Sequence, residues 1–191
     1  MIKNVCVFAS SSNQLDHEFY AESAELGRLM GQNGMHIVYG GSRLGAMYAC
    51  ASEVSRNGGK IIGVMPQKIY DSGVGNPEDC SEFYLTEGMR ERKAKMDALS
   101  DAVVALPGGF GTLEEISEMI VQKQLGYNSK PIVLLNTKGF YNNLVNFFQI
   151  IMDKGFADKS SANLYYIASS PEDVIRYLVH YNAETCIKGK Y

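Results

Sequence analysis

The sequence is poor in most features that would mark a membrane, secreted, metal-binding or nucleic-acid-binding protein. No stretch approaches the roughly 18 apolar residues of a membrane-spanning helix. Met1-Ile2-Lys3-Asn4 runs straight into residues 5–9, too short for the apolar part of a secretory signal and without a cleavage site. There are only 4 cysteines, Cys6, Cys50, Cys80 and Cys186, with no paired spacing. Scattered cysteines of this kind read as reduced thiols, and the expected compartment is cytoplasmic. The 3 histidines, His17, His36 and His180, are equally scattered and give no metal-ligand spacing. A formal net charge of −3 and the lack of any Lys/Arg run argue against nucleic acid or an acidic membrane as partner. An anion site in this chain must therefore be local. Heptads, internal repeats, low-complexity tracts and linkers are also missing. That leaves a single domain over residues 1–191, long enough to bury a substantial core.

Within that domain, short apolar runs alternate with helical patterns. Strands are expected at residues 3–9, 35–39, 60–65, 82–85, 102–106, 132–135 and 165–168. Helices are expected from Asp16, as a cap, to residues 33–34, and over 46–56, 89–99, 116–125, 141–154 and 171–180. In the helix at 89–99, Met89, Met96 and Leu99 are expected to face inward. Residues 66–81 hold Pro66, Gly73, Gly75 and Pro77 and read as an excursion or lid. The strand runs are continuous rather than alternating, which suits strands covered on both faces. The fold class is α/β, a doubly wound parallel sheet with helices on both faces. Ligands in such sheets bind at strand carboxyl ends, near the point where strand order reverses. Three loops converge there: residues 10–13, 40–45 and 107–112.

The last of these loops organises the rest. Pro107-Gly108-Gly109-Phe110-Gly111-Thr112-Leu113-Glu114-Glu115 joins a buried strand to a helix. Glycines let the backbone approach an anion, and the first helical N–H groups have no intrahelical partner. This is not a P-loop, because no lysine follows the last glycine, nor is it the dinucleotide fingerprint, because the third glycine is displaced. A terminal phosphate is the expected ligand. A purely structural account makes Thr112 the N-cap and Glu115 its capping-box partner, but leaves three glycines unexplained.

A phosphate on this loop would stand about one helical turn from Glu115. Two negative charges roughly 6 Å apart at an effective dielectric of about 20 repel by about 3 kcal/mol. A cation is needed, and Arg92 and Lys93, on the helix feeding the strand, are the candidates; a solvated helix face is their alternative reading. A carboxylate held beside a ribose suits glycosidic cleavage, where positive charge builds on the sugar ring. Glu114 and Glu115 point apart as helical neighbours, and Glu118 reads as a surface residue, so no facing acid–base pair is visible.

These residues also resemble a known family. Residues 107–115 fit the pattern PGGxGTxxE, and residues 89–96 look like its companion Met-x-x-Arg-Lys helix. Together they resemble the Lonely Guy (LOG) proteins, cytokinin riboside 5′-monophosphate phosphoribohydrolases long labelled lysine decarboxylases. The likeness extends to Ser10-Ser11-Ser12, Tyr39-Gly40-Gly41, Met65-Pro66, Gln124-Leu125-Gly126 and Gly139-Phe140-Tyr141-Asn142. The resemblance implies a modified Rossmann fold, usually a homodimer, and hydrolysis of AMP or N6-modified AMP to free base and ribose 5-phosphate, with no metal and no cofactor. It implies Arg92 and Glu115 as the catalytic pair. It implies substrate contacts from Lys93, Gly108, Gly109, Phe110, Gly111, Thr112, Leu113 and Glu114, with Ser10 and Gly41 from the other loops. Ile116, Met119 and Ile120 are apolar positions that suit either a dimer face or the core. The chain departs from the pattern at Arg90, at Ser42-Arg43, at Ala46 and Tyr48, at Lys68 and at Val121-Gln122. All of these are expected on the base side. Relatives of the fold also bind nucleotides or molybdenum cofactor without turnover, which makes a non-catalytic carrier the rival reading.

Overall fold

A computed structural model describes residues 2–182. The strands are β1 (Asn4–Phe8), β2 (His36–Tyr39), β3 (Ile61–Pro66), β4 (Glu82–Thr86), β5 (Ala102–Ala105), β6 (Ile132–Leu135) and β7 (Tyr166–Ala168). The helices are α1 (His17–Gln32), α2 (Gly45–Arg56), the single turn α3 (Gln67–Ile69), α4 (Met89–Ala98), α5 (Phe110–Gln124), α6 (Asn142–Asp153) and α7 (Pro171–His180). All seven strands pair in parallel in one sheet, in the order β4-β3-β2-β1-β5-β6-β7. The chain first winds outward from β1 to β4, then returns to pair β5 with β1 and winds the other way. The reversal therefore lies between β1 and β5, and the loops after these strands open the crevice expected of such a sheet.

Two cores, one on each face, follow from the strand sequences. Alternate residues of β1 divide between them, Val5 and Val7 to one side and Cys6 and Phe8 to the other. Leu26 and Met30 of α1, Cys50 and Val54 of α2, and Val174 and Leu178 of α7 complete the first. Met96 of α4, Ile116 and Met119 of α5, and Tyr141 complete the second. Every residue of β5 and β6 is buried, which explains their unbroken apolar runs. β4 is an edge strand and keeps a half-exposed pattern. No helix among the described residues is long and apolar enough to cross a membrane.

Several local expectations need correction. Asp16 is the residue before α1, but its side chain makes no capping bond. Met89 is 45% exposed, because it opens α4 at the rim of a cleft instead of over the sheet. Ile116 and Met119 are buried in the core, so of the three candidate dimer positions only Ile120 borders an apolar groove between α5 and α6. The excursion is not structureless: α3 continues into a helical turn over Tyr70–Val74, and a second turn spans Pro77–Asp79. Cys186 lies outside the described residues.

Candidate active site

The first loop lies over the second. Gly45 has φ 64, in the left-handed region, and a Cβ there would stand 2.8 Å from the Ser11 Cα. Its N–H donates to Asn13 Oδ1 at 2.9 Å. Only glycine permits both the conformation and the approach. The Ser10 N–H donates to the Pro107 carbonyl at 3.3 Å, tying the first loop to the third. Tyr141, buried, donates its hydroxyl to the Leu106 carbonyl at 2.7 Å and fixes the strand exit.

Helix α5 starts earlier than the sequence suggests. Gly109 is its N-cap, and the first helical bond runs from the Leu113 N–H to the Gly109 carbonyl at 3.1 Å. Thr112 is therefore the third helical residue, not the cap, and the expected capping box does not form. The propensity signal placed the start after the glycines because Gly111 is a poor helix former, yet the loop needs that turn to present N–H groups. The N–H groups of Phe110, Gly111 and Thr112 precede the first helical bond and remain free for an anion. A Cβ at Gly109 or Gly111 would meet nothing within 4 Å, so these glycines leave the helix end bare. Gly108 serves differently: a side chain there would collide with Thr112.

Beside this bare helix end stand Arg92 and Glu115. Arg92 lies in the first turn of α4 and Glu115 in the second turn of α5, two helices packed on the same face of the sheet. Arg92 donates from Nη1 to Glu115 Oε1 at 2.5 Å and from Nε to the Val64 carbonyl at 3.2 Å. Their side chains are 11% and 8% exposed. Burial pushes the Glu115 carboxyl above its usual range, and the Arg92 guanidinium opposes that shift without cancelling it. A buried ion pair is weak evidence of a stability device; a carboxylate perturbed in this way in a cleft makes the pair a candidate functional site.

The cleft itself has a volume of about 430 Å³. Its polar lining comes from Ser10, Ser11, Ser12, Gly109, Gly111, Thr112, Arg92 and Glu115. Its apolar lining comes from Leu44, Met47, Met65, Pro66, Ile69, Val74 and Met89. Of the sequence candidates, Ser10, Arg92, Gly109, Gly111, Thr112 and Glu115 thus meet at one place. Gly108 lines a smaller neighbouring cavity with Phe19 and Phe140. Gly41 does not line the cleft; Gly40 does, and a Cβ at Gly40 would stand 2.8 Å from Arg92 Nη2. Phe110 is 92% exposed and Leu113 faces the α5–α6 groove. Lys93 pairs with Glu114 and, at 2.5 Å, with Glu118, which is therefore no bare surface residue. Val121 lies on the α5–α6 groove and does not line this cleft. The methionine-rich wall escaped the sequence reading because its residues come from several separate segments, each of which reads as ordinary core.

Comparison with known proteins agrees with this geometry. The family model described as "possible lysine decarboxylase" matches residues 47–178. Cytokinin riboside 5′-monophosphate phosphoribohydrolase LOG5 of Arabidopsis thaliana is 36% identical over 180 residues, 94% of this chain and 78% of the relative.

The chain belongs to the LOG family.

A second LOG relative, the probable cytokinin riboside 5′-monophosphate phosphoribohydrolase LOGL2 of Oryza sativa subsp. japonica, is 35% identical over 182 residues, 95% of this chain and 74% of that one. Among solved structures, the molybdenum cofactor binding protein of Rippkaea orientalis superposes with a TM-score of 0.70 at 23% identity, covering 94% and 96% of the two chains. That likeness shows the fold alone. The LOG relatives are named for an enzyme, a phosphoribohydrolase.

Proposed function

We propose that this LOG protein hydrolyses the N-glycosidic bond of adenosine 5′-monophosphate, bare or N6-substituted, to a free base and ribose 5-phosphate. The observation that carries the reading is the buried Arg92–Glu115 pair beside the unpartnered N–H groups of α5. In this reading the phosphate rests on the N–H groups of Phe110, Gly111 and Thr112, with the Thr112 hydroxyl beside it. The bond from C1′ to the purine nitrogen breaks with its electron pair leaving on the base. Positive charge then grows on the ribose ring, and the Glu115 carboxylate stabilises it. A water adds its oxygen to C1′ and gives one proton to Glu115; the departing base takes up one proton from solvent, and Glu115 returns its own to solvent, so one water is consumed and the carboxylate is restored. Arg92 holds Oε1 of Glu115 so that the carboxylate keeps its orientation, and balances its charge when the phosphate arrives.

The apolar α5–α6 groove, lined by Leu113, Ile120, Val121, Leu144, Phe147 and Ile151, supports a homodimer formed with a second copy. Free thiols at Cys6, Cys50 and Cys80 support a reducing, cytoplasmic setting. Lysine decarboxylation, the activity in the family model's description, suits the residues poorly. Pyridoxal chemistry needs a lysine amine in the cleft for its Schiff base. Among the described residues no lysine lines the cleft, and Lys93 is held by Glu114 and Glu118.

The test incubates purified protein with AMP and with N6-isopentenyl-AMP and follows release of base and ribose 5-phosphate. Glu115→Gln keeps the shape of the side chain and removes the charge; loss of one such stabiliser costs about 10²–10³-fold in kcat. Nucleotides that raise the melting temperature without any release would favour the non-catalytic carrier instead.

A further inference from the structure

The two linings of the cleft are held by different means. The polar lining sits on the loops after β1 and β5, in the centre of the sheet, and on helices α4 and α5. The apolar lining depends on Ile69 and Val74, which belong to the excursion after β3. That excursion has no strand of its own, and Gly73 within it has φ 82. Something must hold it in place if Ile69 and Val74 are to form a wall of fixed position.

Asp79 is where the holding bonds collect. Arg43 donates to it as a fork, Nε to Oδ2 at 3.0 Å and Nη2 to Oδ1 at 3.0 Å. Tyr48 of α2 donates its hydroxyl at 2.6 Å, and Asn76 donates Nδ2 at 2.9 Å. Arg43 Nη2 also reaches Glu78 at 3.1 Å. A planar guanidinium fork on a carboxylate fixes orientation as well as distance. Beside this cluster the Asn76 N–H donates to the Gly41 carbonyl at 2.8 Å, and Ser42 bridges to Gly75 in antiparallel fashion. The excursion is thus fastened to the 40–45 loop and to α2 immediately after Val74. The same loop contributes Gly40, Ser42 and Leu44 to the cleft.

We propose that Asp79 is a positioning residue: held by Arg43, Tyr48 and Asn76, it fixes the Ile69–Val74 wall and so sets the preference for an N6-alkylated adenine over a bare one. The proposal rests on the hydrolase reading for the identity of the ligand. An apolar pocket distinguishes one methylene by roughly 10-fold or more only when its walls do not give. The phosphate and ribose contacts come from other loops, so a released wall leaves them in place.

The experiment measures dissociation constants of AMP and N6-isopentenyl-AMP by calorimetry in a Glu115→Gln background, which suppresses turnover. Asp79→Ala is compared with intact Asp79 and with Tyr48→Phe, a milder change that removes one donor and keeps the ring. Asp79→Ala is expected to weaken the isopentenyl nucleotide by about 10-fold or more and AMP by less than about threefold. Tyr48→Phe should shift the ratio the same way by a smaller factor. In the enzyme with Glu115 intact, the loss of preference should appear in KM and not in kcat. Equal weakening of both nucleotides would reduce Asp79 to a support of the fold and overturn the proposal, as would an unchanged ratio in both variants. The two readings fail separately. Selective binding that depends on Asp79 but yields no free base removes hydrolysis and keeps the positioning role. Hydrolysis of both substrates at a ratio that Asp79→Ala does not move removes the positioning role and keeps hydrolysis.

Discussion

Gly40→Ala puts the geometry of the Arg92–Glu115 pair under direct strain. A methyl group at position 40 would lie 2.8 Å from Arg92 Nη2 and 3.5 Å from Met47 Sδ. Ordinary contact is about 3.5 Å, so the guanidinium must retreat by about 0.7 Å. It has little freedom to do so, because Nη1 is bonded to Glu115 at 2.5 Å and Nε to the Val64 carbonyl at 3.2 Å. One of those bonds must lengthen, and the carboxylate turns with it. Misplacement of a catalytic group by about 1 Å can cost about 10²-fold, so a loss of about 10- to 100-fold in kcat/KM is expected. The fold should be affected less. Gly40 is not among the residues with positive φ, so the backbone is unstrained and the cost is confined to the one lengthened bond, about 1 kcal/mol. Gly41→Ala provides the contrast: φ is 77 and a Cβ would stand 2.8 Å from the Phe83 ring. Its cost should appear in stability, at about 1–2 kcal/mol for the backbone alone. Initial rates of adenine release and thermal melts on the two variants decide the matter. A Gly40→Ala protein with a native melt and wild-type kcat/KM would refute the idea that the arginine's position limits the rate.

Two further outcomes follow from the same site and surface. Glu115 must be ionised to stabilise the ribose cation, and burial raises its pKa above the ordinary 4.5, so the acidic limb of kcat/KM against pH should lie above that value. The rate falls as pH drops through the raised pKa and the carboxylate takes its proton; a limb at or below 4.5 would exclude Glu115 as the group titrating. In stability the sign is reversed, since a raised pKa favours the folded state at low pH and that contribution disappears as pH rises through the folded pKa. Phe147, 56% exposed on the α5–α6 groove, tests the dimer. Phe147→Glu should convert a dimer to monomer in light scattering at micromolar concentration, whereas a monomeric wild type would remove the dimer from the proposal.

The winding of the sheet was readable because most strands are short, apolar and closed by a polar or glycine-rich turn, and because burial of the inner strands on both faces leaves no alternation to confuse it. The bare end of α5 was readable for a related reason: it is made of backbone, and glycines at Gly109 and Gly111 announce exposed N–H groups from the sequence alone. The start of α5 was not, because helix propensity penalises the glycines that the site requires. The apolar end of the cleft was also illegible. Leu44, Met47, Met65, Ile69, Val74 and Met89 converge only after the chain has turned through two loops and two helix starts, and a methionine in a helix reads as core until its neighbours are known. Met89 shows the ambiguity most plainly, since its spacing with Met96 fits an inward face, yet it stands at the cleft rim.

Charge accounting gives the cleft its remaining logic. Sequence reading asked for a cation to offset a repulsion of about 3 kcal/mol between phosphate and Glu115, and offered two. The structure removes one, because Lys93 is held by Glu114 and Glu118. Among the described residues Arg92 is then the only cation lining the cleft, and it already neutralises Glu115. In the proposed hydrolase reading an arriving phosphate meets a balanced pair and a row of free N–H groups, not a surplus of positive charge. In that reading recognition of the anion falls to the helix end, while the guanidinium opposes the effect of burial on the carboxylate. A site so arranged depends on the arginine's exact distance from one oxygen, which is why a residue with no side chain, Gly40, stands behind it.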